Sequence, residues 1–142
     1  MHKRLTQAAV VFIVVLAAAQ FVRPVRANPA IDVSRTIQAQ ASELGAVLDR
    51  SCRDCHSNAT VWPGYTQVAP LSWLMSYAVT KGREVVNFSE WTSYSPEQQQ
   101  LLLAVSCQDA RSGKMPGLYT MLQPDTQLSK QDVETICAAA RH

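Results

Sequence analysis

The hydrophobic positions of the chain form one uncharged, largely apolar run followed by four segments with helical periodicity. The run covers residues 5–22 and contains no charged side chain. After it, apolar residues recur at helical spacing, which predicts amphipathic helices at about 34–50, 70–81, 96–113 and 129–141. No period-two alternation of the kind typical of strands stands out. The pattern therefore predicts an all-α fold of about four helices with long loops, preceded by an N-terminal hydrophobic helix.

Two of these helices carry specific start signals. Ser95, Pro96 and Gln98 supply a hydroxyl N-cap, a proline in the first turn and the third residue of a capping box. Ser129 and Asp132 repeat the capping pattern before the last helix. We therefore expect both helices to begin at these residues.

The apolar run at the N-terminus is typical of an export segment. Basic residues precede it, and its 18 uncharged residues (22 − 5 + 1) are about the shortest length that crosses a bilayer. Residues 25–27 resemble a cleavage site, but the arginines and the proline at 23–26 disfavour cleavage. We expect an uncleaved anchor in the inner membrane, with a soluble form cleaved near Ala27 as the alternative. Either fate places the rest of the chain in the periplasm, an oxidising compartment.

This interpretation divides the chain into a signal or anchor segment at 1–27, a linker at 28–33 and a domain at 34–142. Four of the 13 basic residues lie in the first 27 residues, which contain no acidic residue. The remainder carries 13 − 4 = 9 basic and 11 acidic residues, a formal charge of −2. No basic patch or run remains there, so nucleic-acid binding has little support.

The residues Cys52-Arg-Asp-Cys-His56 follow the first predicted amphipathic helix directly. This Cys-x-x-Cys-His spacing is the attachment signature of c-type haem. Cys52 and Cys55 would form thioethers with the vinyl groups, and His56 would give a ring nitrogen to the iron as proximal ligand. We therefore expect one covalent haem c in a cytochrome c-like fold whose long loops wrap around it.

Three other uses of these cysteines stay open. A structural zinc site could combine Cys52, Cys55, Cys107 and Cys137, although no second short-spaced pair is present. A thioredoxin-like redox pair would require a βαβ context, which the pattern lacks. The third alternative is a plain disulfide between Cys52 and Cys55.

The sixth iron ligand is expected to be Met115, which lies in a Lys-Met-Pro sequence just past the third predicted helix. A thioether ligand suits an electron carrier, because it favours ferrous iron and raises the reduction potential. Met121 is the reserve candidate, and Met75 is assigned to the core because it lies on an apolar helix face. His2 and the terminal His142 are disfavoured as ligands. A core position for Met115 itself is the alternative.

Cys107 and Cys137 fall on the last two predicted helices. The compartment and the even number of cysteines favour a disulfide between them. Two buried thiols are the alternative. Trp62, Trp73 and Trp91 either line a haem pocket or pack in the core.

Beyond the motif, the chain resembles the bacterial haem-binding domain family of single-haem c-type cytochromes. The residues that carry the resemblance are Phe21-Val-Arg-Pro24, Cys52-Arg-Asp-Cys-His-Ser-Asn58, Trp62-Pro63, Tyr65, Ala69-Pro-Leu-Ser-Trp73, Gly82-Arg83, Asn87-Phe-Ser-Glu-Trp91, Tyr94-Ser-Pro96 and Gly113-Lys-Met-Pro116. The resemblance implies one haem c bound by Cys52, Cys55 and His56, with Met115 at the family's Met-Pro position. It also implies an N-terminally anchored periplasmic protein. It supplies no reaction and no partner, and Cys107 and Cys137 lie outside its pattern.

Together these observations favour a one-electron carrier that is not an enzyme and has no catalytic residue. With His56 and Met115 on both axial positions the iron has no open site. The chemistry that remains is electron transfer with redox protein partners in the periplasm or inner membrane. A haem enzyme, or a gas or redox sensor, would need an open or labile sixth position. A structural haem subunit of a membrane complex is the other alternative.

Overall fold

The computed structural model describes residues 2–39 and 42–141. Its α-helices are α1 His2–Ala19, α2 Ser42–Ser51, α3 Arg53–His56, α4 Leu71–Val85, α5 Pro96–Arg111 and α6 Lys130–Ala139. Short 3-10 segments occur between them, at Val33–Arg35, Ile37–Ala39, Gly64–Gln67, Phe88–Ser93, Gly117–Met121 and Pro124–Thr126. No β-strand occurs in the described residues. The predicted all-α class with an N-terminal apolar helix is therefore confirmed.

The predicted capping boxes are present at α5 and α6. The backbone N–H of Gln98 donates to Ser95 Oγ at 3.3 Å, and that of Ser95 donates to Gln98 Oε1 at 2.9 Å. At α6, the Asp132 N–H donates to Ser129 Oγ at 3.1 Å, and the Ser129 N–H donates to Asp132 Oδ2 at 2.7 Å. Gly113 follows the end of α5 with a φ of +68°, the left-handed conformation that commonly terminates a helix.

The prediction of one helix over 34–50 is wrong in its N-terminal half. The α-helical part of this region is α2, whereas two 3-10 turns precede it and the extended Thr36 separates them. Thr36 Oγ1 donates to the Val33 carbonyl at 2.9 Å, a local bond that competes with helix formation. The chain also folds back on itself, since a Cβ on Gly45 would lie 2.9 Å from Gln38 Cα. This close packing overrides the helical periodicity.

The hydrophobic core lies among α2, α5, α6 and the Phe88–Ser93 segment. Its buried members are Ile37, Leu44, Leu48, Val86, Phe88, Trp91, Ala110 and Ile136. The Trp91 ring lies 6.1 Å from that of Phe88 and 5.9 Å from that of Tyr94, centroid to centroid. Trp91 is therefore a core residue, the second of the two roles expected for the tryptophans.

Within the described residues, α1 alone is long and apolar enough to cross a membrane, and none of its residues is buried. The chain that follows it turns at Gln20 and Phe21 and is hydrogen-bonded to α4. We call residues 20–30 the strap. Three α4 side chains donate to its carbonyls: Trp73 to Val22 at 2.8 Å, Ser76 to Val25 at 2.8 Å and Arg83 to Ala27 at 2.9 Å. Successive strap residues thus meet successive turns of α4, and the strap begins well before the predicted linker at 28–33.

A disulfide joins Cys107 on α5 to Cys137 on α6. The two cysteines are 30 residues apart in sequence, and their Cα atoms are 4.8 Å apart. The closed loop contains Met115. The disulfide therefore restricts the freedom that this loop has in the unfolded chain.

Replacing both cysteines by Cys107→Ala and Cys137→Ala should lower the free energy of unfolding by about 3–4 kcal/mol, because a loop of this length gains that much unfolded-state entropy in the chain-entropy model. Urea unfolding of the variant and the parent protein measures the difference. An unchanged free energy of unfolding would contradict the prediction.

Candidate functional site

The Cys-x-x-Cys-His motif lies at the junction of α2 and α3. The Cys52 N–H donates to the Leu48 carbonyl at 2.9 Å, and the His56 N–H donates to the Cys52 carbonyl at 3.0 Å. These bonds continue the helical turn of α2 through the motif, with a change of direction at Cys52, whose φ is −127°. Cys52 and Cys55 are free thiols in this structure. The structure therefore does not contain the alternative disulfide between Cys52 and Cys55.

Helix α4 packs directly behind the motif through Gly82. A Cβ at this position would overlap the Cys55 carbonyl oxygen and would lie 2.9 Å from the Cys55 carbonyl carbon. Only glycine permits this approach of two backbones. The next residue, Arg83, donates from Nε to the Ser57 carbonyl at 2.7 Å and from Nη2 to Thr60 Oγ1 at 2.8 Å. The Gly82-Arg83 pair thus fixes both the motif and the loop that follows it.

All four predicted haem-site residues line one cavity of about 490 Å³: Cys52, Cys55, His56 and Met115. This volume is within the range of about 300–1,000 Å³ that is usual for cofactor sites. Apolar side chains from several elements form most of the wall, among them Leu48, Leu74, Met75, Ala78, Val85, Val86, Phe88, Leu102, Val105, Leu118, Leu122, Leu128 and Ile136. The fold therefore brings the predicted ligands together in an apolar environment.

His56 is oriented by the backbone at the end of α4. Its Nδ1 lies 3.3 Å from the Val86 carbonyl oxygen. Because a carbonyl only accepts, Nδ1 must carry the proton, which leaves Nε2 with a free lone pair. Burial lowers the pKa of His56, and the hydrogen bond to Val86 opposes this shift only in part. The ring is therefore a neutral imidazole, the form that binds a metal.

The environment of the two thiols argues against the redox and zinc alternatives. Burial raises the pKa of Cys52 to about 12 and that of Cys55 to about 11. A thioredoxin-like pair needs the opposite shift, because its thiolate is the reactive form. The disulfide removes Cys107 and Cys137 from any four-cysteine zinc site. In the part of the chain that the structure describes, no cluster of three His, Cys, Asp or Glu residues could hold a metal ion.

The methionines considered as the sixth iron ligand differ in where they lie relative to the cavity. Met115 is partly exposed in the loop after α5, whereas Met75 is buried on α4, and both line the cavity. The reserve candidate Met121 is largely exposed and is not among the lining residues. His2 lies on α1, and His142 lies outside the described residues.

A hydrogen bond that the sequence did not predict ties the Met115 loop to the motif. The Tyr119 hydroxyl donates to Asp54 Oδ2 at 2.7 Å. Burial raises the pKa of Tyr119, and the hydrogen bond to Asp54 raises it further. The same loop is held to α5 by Lys114, whose Nζ lies 3.1 Å from the Asp109 carboxylate. The sequence signal for the Tyr119 bond was weak, because 65 residues separate its partners.

The polar lining of the cavity contains both basic and acidic groups. Its basic residues Arg50, Lys81 and Lys114 are each paired with a carboxylate, and Asp54 and Asp109 are its acidic residues. Ser51 also lines the cavity, and its buried Oγ has no hydrogen-bond partner among the described residues. Haem combines a large apolar macrocycle with propionate carboxylates. The residues present therefore fit this group.

An all-α domain that directs two thiols, an imidazole and a thioether toward one apolar cavity defines a haem-binding protein. The chain matches the haem-binding domain family over residues 14–142 and belongs to that family. The match extends beyond residues 21–116, which carry the resemblance in the sequence, and includes α6. Comparisons with curated proteins and with solved structures give no match to this chain.

Gly82→Ala should destabilise the domain and lower the yield of haem-bearing protein. Overpacking at the Cys55 carbonyl costs about 1–3 kcal/mol, more than the gain of about 1 kcal/mol that alanine brings to a helix interior. Thermal unfolding and haem content measure the effect. Gly64→Ala is the matched control, since a Cβ there would meet nothing within 4 Å. Equal stability of the two variants would contradict the close approach.

Tyr119→Phe should cost about 1.5–3 kcal/mol at neutral pH, the usual contribution of a hydrogen bond to a charged group. The pKa of Tyr119 is raised in the folded state, so this stabilisation is complete below the unfolded-state pKa of about 10. It is lost as the pH rises through the higher folded-state pKa. The difference in unfolding free energy between parent and variant, measured from neutral to alkaline pH, should therefore shrink at high pH. Tyr77→Phe, at an exposed tyrosine, is the matched control and should change the unfolding free energy by no more than about 0.5 kcal/mol.

Proposed function

We propose that this protein is a periplasmic one-electron carrier with a single covalent haem c. Cys52 and Cys55 would hold the haem through thioether bonds, and His56 and Met115 would be the axial ligands of its iron. The observation that carries the proposal is the convergence of these four side chains on one apolar cavity. When bound, the haem supplies an iron centre that alternates between the ferric and ferrous states.

The contacts of His56 support its role as the proximal ligand. Its Nδ1 proton is held by the Val86 carbonyl, so Nε2 is the atom available to the metal. The Gly82 contact behind Cys55 holds the neighbouring backbone in place. The hydrogen bond orients the imidazole, and the Gly82 contact positions the backbone next to it.

Met115 is preferred to Met75 because of the element that carries it. Met75 lies on α4, the helix that packs behind Cys55 and whose end holds His56. Met115 comes from a separate loop that Tyr119 and Lys114 fix in place. A ligand from a second element can bind the side of the iron that His56 does not occupy.

An electron carrier is favoured over an enzyme by the engagement of the carboxylates at the cavity. Asp54 accepts the Tyr119 hydroxyl proton in a hydrogen bond, and Asp109 is paired with Lys114. Neither group is free to donate a proton to a substrate. With both axial positions filled by protein ligands, outer-sphere electron transfer with redox protein partners is the chemistry that remains.

The strap supports an uncleaved anchor in the inner membrane. Cleavage near Ala27 would remove Gln20, Val22 and Val25, whose hydrogen bonds connect the strap to α4 and to Ala69, two residues before it. Export through α1 places the domain in the periplasm. Its formal charge after residue 27 is −2 (9 basic, 11 acidic), which gives no support to nucleic-acid binding.

The mass of the purified protein tests the covalent attachment. Expression in a host that attaches c-type haem should give a chain heavier by one haem. Cys52→Ala with Cys55→Ala should abolish this added mass, whereas Cys107→Ala with Cys137→Ala should keep it. A parent chain whose mass equals that of its amino acids alone would refute the proposal.

Met115→Ala should remove the far-red absorbance of the ferric protein that marks methionine ligation. It should also lower the reduction potential by on the order of 0.1 V, a modest part of the range of about 0.8 V that axial ligands set. Absorbance spectra and a redox titration measure both effects. Met121→Ala is the control and should leave both unchanged. A parent protein that is high-spin and binds carbon monoxide at once would exclude the carrier function.

A further inference from the structure

We propose that the face of the domain formed by Phe21, Val68, Trp73 and Tyr77 is a lipid-contacting surface that lies on the headgroup layer of the membrane. We call these four residues the membrane-facing patch. The inference rests on the anchoring of the chain by α1, and it adds that the domain lies directly on the bilayer in one orientation.

The length of α1 places its end close to the edge of the membrane core. The 18 residues of α1 give a length of about 27 Å at 1.5 Å per residue, close to the hydrocarbon thickness of about 30 Å. Gln20, which directly follows α1 and begins the strap, therefore lies at the edge of the hydrocarbon. The Gln20 side chain accepts the Ala69 N–H at 3.0 Å. The domain thus begins where the membrane core ends.

Only a short stretch of chain separates the anchor from the domain. Val22 is three residues after Ala19, and its carbonyl accepts the Trp73 Nε1–H at 2.8 Å. Three extended residues span at most about 10 Å. The headgroup region on one side of a bilayer is about 5–8 Å thick. Trp73 therefore cannot lie far from the headgroups.

The membrane-facing patch has a composition that suits the membrane–water interface. Val68 directly precedes Ala69, and Trp73 and Tyr77 are four residues apart on one side of α4. Val68 is 54%, Trp73 39%, Tyr77 63% and Phe21 88% exposed, so these apolar and aromatic side chains form an exposed patch next to the anchor. Tryptophan and tyrosine are enriched at the membrane–water interface. Arg23, two residues after Phe21, is also exposed and is a cation that lipid phosphates would attract.

A lipid surface explains these residues better than a second protein does, because the patch is continuous with the anchor. The strap also fixes which end of α4 points toward the membrane. The contacts of the strap run from Ala69, just before α4, to Arg83 near the end of the helix. The start of α4 therefore faces the membrane.

Site-specific photo-crosslinking of the full-length holoprotein tests the inference. The photoreactive amino acid p-benzoylphenylalanine replaces Val68 or Tyr77, and the chain is reconstituted in vesicles of phosphatidylethanolamine and phosphatidylglycerol. The matched control is the same replacement at Leu101, an apolar residue of α5 that is 64% exposed. Illumination followed by mass spectrometry measures the fraction of chains that carry a lipid adduct.

We expect lipid adducts at Val68 and Tyr77 to exceed those at Leu101 several-fold. Adduct levels equal to those at Leu101, or adducts mainly with a second copy of the chain, would overturn the inference. Flotation with the vesicles and haem absorbance report separately on the proposed function. A chain that floats and carries haem but gives no excess of adducts refutes the membrane-facing patch alone, whereas a chain that fails to float refutes the anchor as well.

Discussion

The approach of α4 to the backbone of Cys55 is the contact on which the rest of the site depends. Because Gly82 has no side chain, the helix can lie against the motif and bring its own C-terminal residues to the imidazole. The Val86 carbonyl then selects the proton position of His56, and Arg83 holds the Ser57 carbonyl just after it. One helix thus positions the thiols, orients the ring and fixes the loop that leaves the motif.

A buried polar network extends this support to the neighbouring chain. The Asn58 N–H donates to Ser89 Oγ at 3.0 Å, and Asn87 Nδ2 donates to Asn58 Oδ1 at 2.8 Å. Asn58 Nδ2 in turn lies 3.2 Å from the Ala30 carbonyl. Polar side chains in such a position are stabilising because each finds a partner. They connect the strap, the loop after the motif and the segment beside Trp91 to one another.

Much of the fold was predictable from signals between nearby residues. Most of the features that were not predictable depend on contacts between residues distant in sequence. The starts of α5 and α6 were predictable because Ser95 and Ser129 form capping boxes with residues three positions away. The motif and Met115 were recognisable from short spacings. The interruption of the predicted helix at Thr36 was not recognisable, because it depends on the packing of Gln38 on Gly45. The Tyr119–Asp54 bond joins residues 65 positions apart and leaves no periodic trace in the sequence.

The strap has a consequence for the maturation of the protein. Proteases generally require a segment that is locally unfolded. In the folded chain the Val25 and Ala27 carbonyls are already engaged by Ser76 and Arg83. If α1 is an export segment, as proposed, its removal near Ala27 and the folding of the domain would compete in time for the same few residues. Docking of α4 first would then protect this segment and leave the protein tethered.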